Sequence, residues 1–212
     1  MQIIPSVFTT NLEQFTHQIQ SMNTAVDCVQ IDVTDGEFVP TLTFADPLVT
    51  KNILQISCEL HLMVIDPLKI LQLWKDVPQV KRILFHYESG ADVSSTIDVI
   101  HSYGWEAGLV LNPHTPLSVT EPFISKLDSV MFMGVVPGAQ GQALIPEVLV
   151  KAKELKQKNP QMFTEWDGAV SESTLPSLMD SDLSAICPGS AVFKNGEPAD
   201  NIQRLKQIIN KN

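Results

Sequence analysis

Short apolar runs alternate with longer segments of helical periodicity along the whole chain. The first run, residues 1–5, is followed by Leu12, Phe15, Ile19 and Met22, whose spacing of three and four is that of one face of an amphipathic helix. The alternation continues, and we predict further strands at residues 28–33, 57–64, 82–86, 106–111, 129–135, 162–167 and 184–187. Further helices are predicted at residues 67–74, 93–103, 117–125, 146–157, 173–179 and 199–209.

This order of elements predicts the fold. Strands separated by helices imply parallel strands joined by right-handed crossovers. Eight such units with continuous apolar strands favour closure into a (β/α)8 TIM barrel, and we expect residues 1–212 to form this single domain. A doubly wound open sheet is the alternative that periodicity leaves open.

The charge and composition of the chain limit its partners. A formal net charge of −10 disfavours nucleic acid and anionic membrane surfaces, because like charges repel. No apolar run approaches the roughly 20 residues that span a bilayer, and the N-terminus lacks the basic segment of a signal peptide. Cys28, Cys58 and Cys187 are odd in number and lie in or beside apolar runs, which is typical of buried thiols in a reducing compartment. We therefore expect a cytoplasmic protein.

The second predicted strand alternates strictly between apolar and polar residues. Gln30 and Asp32 therefore point to the same side, and the apolar residues between them point to the other. Since the helix-facing side of a barrel strand is apolar, the polar pair is expected inside the barrel. A buried carboxylate costs roughly several kcal/mol unless it is paired or bound to a cation. His61 on the next strand is the candidate partner, although a hydrogen-bonded structural Asp and a satisfied core His remain open.

Glycine-bearing loops follow the last predicted strands, where TIM barrels commonly bind phosphate. They are residues 137–142, 167–169 and 189–191, and residues 190–193 could form the short extra helix of such a site. Catalytic residues of this fold also come from the carboxyl ends of the strands. Asp32 and Asp167 both lie at such ends, so we expect them at one barrel mouth.

These residues belong to a longer series of matching segments. In order they are Pro5-Ser6, Asp32 to Pro40, His61-Leu62-Met63-Val64, Phe85-His86-Tyr87-Glu88, Ala107-Gly108, Leu111-Asn112-Pro113, Thr115-Pro116, Met133, Val135, Pro137-Gly138, Gln142, Ile145 to Val148, Asp167-Gly168, Val170 and Gly189 to Phe193. On these segments the chain resembles the ribulose-phosphate 3-epimerase family. The resemblance implies a ribulose-phosphate-binding type of TIM barrel and an isomerase of carbohydrate metabolism, in the pentose phosphate group of reactions.

The resemblance also implies a mechanism. One of Asp32 and Asp167 would remove the proton at carbon 3 of a ketose phosphate, D-ribulose 5-phosphate, and the other would return a proton to the opposite face, giving D-xylulose 5-phosphate. A divalent metal (Zn, Fe, Mn or Co) would polarise the carbonyl. Its ligands would be Asp32, His61 and Asp167, with Gln30 in the fourth position.

Further site residues follow from the same resemblance. The residues expected to contact a small phosphorylated sugar are Ser6, His61, Met63, Met133, Gly138, Gly141, Gly168, Ala169, Gly189 and Ser190. Neither nucleic acid nor a membrane is expected as a partner, and a homo-oligomer is left open.

Several positions depart from the family pattern. Gln30 stands where the family has a histidine ligand, and an amide oxygen is a poorer ligand than imidazole for zinc or ferrous iron. Thr34 and Glu37 replace a methionine and a histidine, Ala169 replaces a glycine, and Trp166 replaces a smaller residue. In the loop after Gly138, Ala139-Gln140 replaces Phe-Gly.

Three interpretations follow. The first is an active sugar-phosphate 3-epimerase with a weaker or different metal. The second is an epimerase of another phosphorylated ketose. The third is a catalytically impaired barrel that binds a sugar phosphate or a protein partner. A metal bound with the Gln30 oxygen would favour the first two, and an Asp32 held only by hydrogen bonds would favour the third.

Overall fold

The structure is a computed structural model that describes residues 1–138 and 141–211. Within these residues nine parallel strands form one sheet. They are β1 (Gln2–Ile3), β2 (Ser6–Val7), β3 (Cys28–Thr34), β4 (Ser57–Met63), β5 (Val80–His86), β6 (Glu106–Leu111), β7 (Ser129–Met133), β8 (Phe163–Asp167) and β9 (Ala185–Cys187).

Helices connect most consecutive strands and follow the last one. They are α1 (Leu12–Met22), α2 (Pro47–Ile53), α3 (Pro67–Trp74), α4 (Val93–Ser102), α5 (Glu147–Lys158), α6 (Leu175–Met179), α7 (Ser190–Phe193) and α8 (Pro198–Lys211). Two short 3-10 turns, Tyr87–Ser89 and Leu117–Thr120, follow β5 and β6.

The N-terminal segment closes the sheet into a barrel. β1 pairs with the last strand, β9, and β2 pairs with β3, so two pieces of one segment join both ends of the sheet. Pro5 separates the pieces because it has no N–H to donate, but its carbonyl still accepts a hydrogen bond from the Gln30 N–H at 2.9 Å. The predicted TIM barrel is confirmed, and the open sheet is excluded.

The barrel has an outer and an inner core. Side chains such as Val29, Ile31 and Trp166 point outwards and pack between strands and helices. A smaller apolar cluster, which includes Leu84 and Met131, fills part of the barrel interior. The predicted alternation of β3 is therefore correct, since its apolar residues join the outer core and its polar ones face inwards.

Two local predictions were incomplete. The helix α2 was not predicted, although Asp46 caps it by accepting a hydrogen bond from the Val49 N–H at 2.8 Å and Pro47 occupies its first turn. The helix predicted at residues 117–125 is only the 3-10 turn Leu117–Thr120. Pro122 accounts for this difference, because it lacks the N–H that a continuing helix would use.

Two sequence expectations concern the membrane and the cysteines. In the described ranges no helix is both long and apolar enough to cross a membrane. All three cysteines are free thiols, with Cys58 and Cys187 buried and Cys28 partly buried.

A buried ion-pair network lies inside the barrel near its amino-terminal end. Arg82 Nη1 lies 3.1 Å from Glu59 Oε2 and 3.2 Å from Glu165 Oε1, and Arg82 Nη2 lies 2.6 Å from Glu106 Oε2. The guanidinium also lies over the Phe163 ring, 4.3 Å from its centroid. Glu59 and Glu165 are buried, so one guanidinium faces two carboxyl groups that are shielded from water.

Burial and the neighbouring Glu165 raise the pKa of Glu59 well above 4.5, although Arg82 acts in the opposite direction. Glu59 is therefore protonated in the folded protein at pH values where the unfolded chain has released the proton. The unfolded chain then binds fewer protons, so this group makes the free energy of unfolding fall as the pH rises above about 4.5.

We predict that Glu59→Gln flattens this pH dependence. The slope of unfolding free energy against pH between pH 5 and 8 should become less negative, by at most about 1.4 kcal/mol per pH unit for one proton. Urea denaturation across this range measures it. Glu106→Gln is the control, because Glu106 contacts the same arginine from a half-exposed position. Parallel curves for Glu59→Gln and the unmodified protein would contradict the prediction.

Candidate active site

A cavity opens at the carboxyl end of the barrel. Every predicted site residue except Gln30 lines it, namely Ser6, Asp32, His61, Met63, Met133, Gly138, Gly141, Asp167, Gly168, Ala169, Gly189 and Ser190. Gln30 lies below the cavity, fully buried. The structure therefore brings together residues from both ends of the chain, as predicted.

One amide joins the two aspartates. Gln30 Nε2 donates hydrogen bonds to Asp32 Oδ1 and Asp167 Oδ2, both at 2.8 Å. His61 Nδ1 lies 2.9 Å from the same Asp32 oxygen and 3.2 Å from the same Asp167 oxygen. We call these four residues the carboxylate cluster. Its members come from β3, β4 and β8, so it depends on closure of the sheet.

Strand register places three members of the carboxylate cluster, Gln30, Asp32 and His61. Asp32 pairs with His61 across β3 and β4, so their side chains point to the same face of the sheet. Gln30 lies two residues before Asp32 on the same strand and shares that face. Asp167 ends β8, which is separated from β3 by β9 and the N-terminal segment.

The electrostatics of the carboxylate cluster are coupled. Burial raises the pKa of Asp32 to about 6, and the nearby Asp167 adds to this effect, while His61 and Gln30 oppose it. Burial alone would lower the pKa of His61, but its contacts with Asp167 and Asp32 raise it to about 9. The arrangement thus favours a positive charge between two carboxylates.

The donor set suits a divalent cation. Asp32, His61 and Asp167 each offer a ligand atom, and these atoms lie within 4.8 Å of one another. Carboxylate oxygen and imidazole nitrogen are ligands for Zn, Fe, Mn and Co. Gln30 presents its NH2 group to this point, and its Oε1 is buried without a hydrogen-bond partner. Rotation of the amide by half a turn would bring that oxygen to the cluster, so the residues fit a cation.

A second histidine lies behind the carboxylate cluster. His86 Nε2 is 2.9 Å from His61 Nε2, and His86 Nδ1 is 3.4 Å from Glu88 Oε2. Glu88 Oε1 accepts hydrogen bonds from the Asn112 N–H at 3.0 Å and from the Thr115 hydroxyl. Partial burial disfavours the charged carboxylate, but these hydrogen bonds outweigh it and lower the pKa of Glu88. In the sequence His86 and Glu88 lie in one of the matching segments, but no role was predicted for them.

Two departures from the family pattern, Thr34 and Glu37, lie at the start of the loop after β3, and Thr34 fixes this loop through its side chain. The Thr34 hydroxyl donates a hydrogen bond to the Thr41 carbonyl at 2.7 Å and accepts one from the Thr43 N–H at 2.7 Å. The Glu37 side chain is exposed, and its N–H donates to Asp35 Oδ1 at 2.8 Å. The Thr41 hydroxyl donates to the Gly138 carbonyl at 3.0 Å, which ties this loop to the loop after β7.

Trp166 fixes the loop after β8. Its indole lies against Gly134, where an added Cβ would fall 2.5 Å from the ring, and its Nε1–H donates to the Gly168 carbonyl at 2.8 Å. Gly168 and Ala169 both have positive φ, 98° and 54°. The departure at Ala169 is therefore accommodated in a left-handed conformation that favours glycine.

Part of the cavity wall had no predicted role. Phe8, Val135, Val170 and Cys187 line it as well. Val135 and Val170 lie in matching segments, which could have indicated them, whereas Phe8 and Cys187 had no such signal. The departure Ala139-Gln140 lies outside the described residues.

Comparison with known proteins identifies the family of this chain. The family model described as "Ribulose-phosphate 3 epimerase family" matches residues 2–193, which carry the whole barrel as far as α7. The chain belongs to the ribulose-phosphate 3-epimerase family. Membership confirms the expected isomerase class and carbohydrate-phosphate epimerase type.

Sequence similarity to relatives in this family extends over nearly the whole chain. The Schizosaccharomyces pombe protein named ribulose-phosphate 3-epimerase is 32% identical over 217 residues, covering 99% of this chain and 94% of its own. The Bacillus subtilis protein of the same name is 29% identical, covering 97% and 98%. The similarity to these two relatives thus extends over nearly the whole of both chains in each comparison.

Solved structures support the fold alone. 3-hexulose-6-phosphate synthase from Salmonella typhimurium superposes with a TM-score of 0.74 at 13% identity, covering 100% of this chain and 99% of its own. Orotidine 5'-monophosphate decarboxylase from Sulfolobus solfataricus gives 0.71 at 10% identity, covering 99% and 98%.

We predict opposite stability effects for two neighbouring substitutions. Gly168→Ala should destabilise by about 1–3 kcal/mol, because its Cβ would fall 2.6 Å from Val135 Cγ2 at a positive φ. Ala169→Gly should stabilise by up to about 1 kcal/mol, because it relieves a left-handed conformation. Urea denaturation of both variants measures these changes. Effects of the same sign would contradict the described loop conformation.

Proposed function

We propose that the protein is a ribulose-phosphate 3-epimerase, which interconverts D-ribulose 5-phosphate and D-xylulose 5-phosphate. The observation that carries this proposal is the convergence of Asp32 and Asp167 on one amide nitrogen at the barrel mouth. Inversion at a carbon next to a carbonyl requires an acid and a base that act on opposite faces of a planar enediolate. Asp32 and Asp167, which come from separate strands, would supply this acid and base.

Each aspartate would carry out one of the two proton transfers. In one direction Asp32 or Asp167 takes the proton from carbon 3 as a carboxylate, and the other aspartate, protonated, donates to the opposite face. In the reverse direction the roles exchange. Without a cation, Gln30 holds the two carboxylates in a fixed relation by donating to both. With the amide turned so that its oxygen binds a cation, the same carboxylates would be held as the other ligands. This fixed geometry favours proton transfer, because orientation lowers the entropic part of the barrier.

The carboxylate cluster would also hold a divalent cation. Asp32, His61 and Asp167 are the proposed ligands, and the oxygen of Gln30 is the proposed fourth. Such a cation, Zn, Fe, Mn or Co, would polarise the carbonyl and stabilise the negative charge of the enediolate.

The rest of the cavity would position the sugar phosphate. Met63 and Met133 are buried beside the aspartates and would pack against the enediolate. Ser6 would contact the sugar. The loops that carry Gly138, Gly141, Gly168, Ala169, Gly189 and Ser190 would bind the phosphate through backbone N–H groups. Such binding suits a chain whose net charge is −10, because it needs no basic surface.

The domain organisation, cellular location and partners of the enzyme are part of the proposal. We propose that residues 1–212 act as one barrel domain in the cytoplasm, without a nucleic-acid or membrane partner. Pairing of the N-terminal β1 with β9 supports a single domain, and the free thiols support a reducing compartment. An epimerase of another ketose and an impaired barrel are less well supported, because the named relatives and the complete set of two aspartates agree with the first interpretation.

We predict that Asp32→Asn and Asp167→Asn each lower interconversion at least about 10³-fold, because an amide cannot act as the base. Each variant should nevertheless exchange the C3 hydrogen of one epimer with D2O, namely the epimer whose proton faces the remaining carboxylate. Proton NMR of both sugar phosphates measures this. Glu121→Gln, at an exposed position, is the control. Appreciable interconversion by either variant would contradict the two-base assignment.

We further predict that Gln30→His strengthens the binding of Zn²⁺ or Co²⁺ at least about 10-fold, because imidazole is the better ligand. Calorimetric titration of the metal-free protein measures the affinity. The control is Gln72→His on α3, which adds a histidine far from the cluster. An affinity no higher than in the control would show that position 30 does not face the cation.

A further inference from the structure

Two buried histidines and the partly buried Glu88 form a series of contacts that leads away from the carboxylate cluster. His61 touches His86, and His86 touches Glu88, with contact distances of 2.9 Å and 3.4 Å. The two rings have centroids 5.1 Å apart and planes 24° apart, so with their Nε2 atoms in contact they meet nearly edge to edge. Both histidines are fully buried, so water does not replace the contact between the two rings.

We propose that Glu88, acting through His86, is a positioning residue that keeps His61 Nε2 engaged and Nδ1 directed at the carboxylate cluster, where the Nδ1 lone pair can bind a cation. Use of this lone pair to hold a cation rests on the proposed function. The direction of the hydrogen bonds does not rest on it.

Glu88 sets the direction of the hydrogen bonds in this series because its carboxylate can only accept them. Two donors hold Oε1, the Asn112 N–H and the Thr115 hydroxyl. Lys151 Nζ fixes the segment that carries these donors, since it donates to the carbonyls of Pro113 at 2.9 Å and Thr115 at 2.8 Å. The other oxygen, Oε2, faces His86 Nδ1, which must therefore carry the proton.

The proton position on His86 then decides which way the hydrogen bond between His86 and His61 runs. An uncharged imidazole has one N–H, so His86 with its proton on Nδ1 has a bare Nε2. Two bare nitrogens 2.9 Å apart would repel, so His61 must donate from its own Nε2. His61 Nδ1 then faces Asp32 and Asp167, and in the metal-free protein it donates its own proton to these carboxylates, at 2.9 Å and 3.2 Å. Once a cation replaces that proton, Nδ1 and the two carboxylate oxygens are three electron-rich atoms at one point. This is the arrangement that a cation stabilises.

A purely structural role for His86 makes a different prediction. The ring also packs against Phe38, with centroids 4.7 Å apart, and would fill the core with either nitrogen protonated. A change that keeps the shape of Glu88 but reverses its hydrogen bonding separates the two roles. Glu88→Gln is such a change, because its carbonyl can keep the Asn112 and Thr115 donors while its NH2 faces His86.

The test is nitrogen NMR of ¹⁵N-histidine-labelled, metal-free protein, combined with calorimetric titration of Zn²⁺. In the unmodified protein His86 should carry its proton on Nδ1. In Glu88→Gln the proton should move to Nε2, and Zn²⁺ affinity should fall about 10–100-fold, the usual effect of losing a group that orients a metal ligand. Proton on Nε2 of His86 in the unmodified protein would overturn the proposal.

Thr115→Val is the matched variant. It removes one donor to Glu88 but leaves a carboxylate facing His86, so the His86 proton should stay on Nδ1 and Zn²⁺ affinity should change less than about 3-fold. An equal loss of affinity in Thr115→Val, or an unchanged His86 proton in Glu88→Gln, would overturn the proposal. Because the NMR measurement needs neither substrate nor metal, a failed epimerase assay would refute the proposed function and leave this inference standing.

Discussion

The Gln30 amide, held between Asp32 and Asp167, is the interaction on which the rest of the site depends. Two carboxylates that approach one point in a barrel interior repel each other, and each loses hydration worth roughly several kcal/mol. Gln30 offsets part of this cost by donating to both at 2.8 Å, and His61 offsets more. A cation at the same point would act in the same way, so this region is stable only while it holds donors or positive charge.

The barrel contains two sites at which a pair of acidic side chains faces hydrogen-bond donors or positive charge. Near its amino-terminal end Arg82 faces Glu59 and Glu165, and at its carboxyl end Gln30 and His61 face Asp32 and Asp167. The first network uses a permanently charged guanidinium and is a closed structural layer. The second uses an amide and an imidazole, opens into a cavity, and can exchange its positive charge. We interpret this difference as the separation of a structural layer from a reactive one.

The sequence predicted most of this arrangement, for physical reasons that differ between residues. Alternation along β3 was sufficient to place Gln30 and Asp32 inside the barrel, because side-chain direction has a period of two. The contact of Gln30 with Asp167 depends on closure of the sheet between distant strands, which periodicity does not encode. The same holds for the His61–His86 contact, which depends on the geometry between β4 and β5. The capping pair Asp46-Pro47 marks the start of α2, a short helix that apolar periodicity did not predict.

The central claim is that the two aspartates invert carbon 3 of ribulose 5-phosphate. Its most direct test is proton NMR of D-ribulose 5-phosphate incubated with the unmodified protein in D2O, with a divalent metal and with a chelator. The account predicts D-xylulose 5-phosphate that carries deuterium at carbon 3, formed faster with metal than with chelator. An absence of both exchange and epimer under every condition, persisting when Gln30 is replaced by histidine, would contradict it.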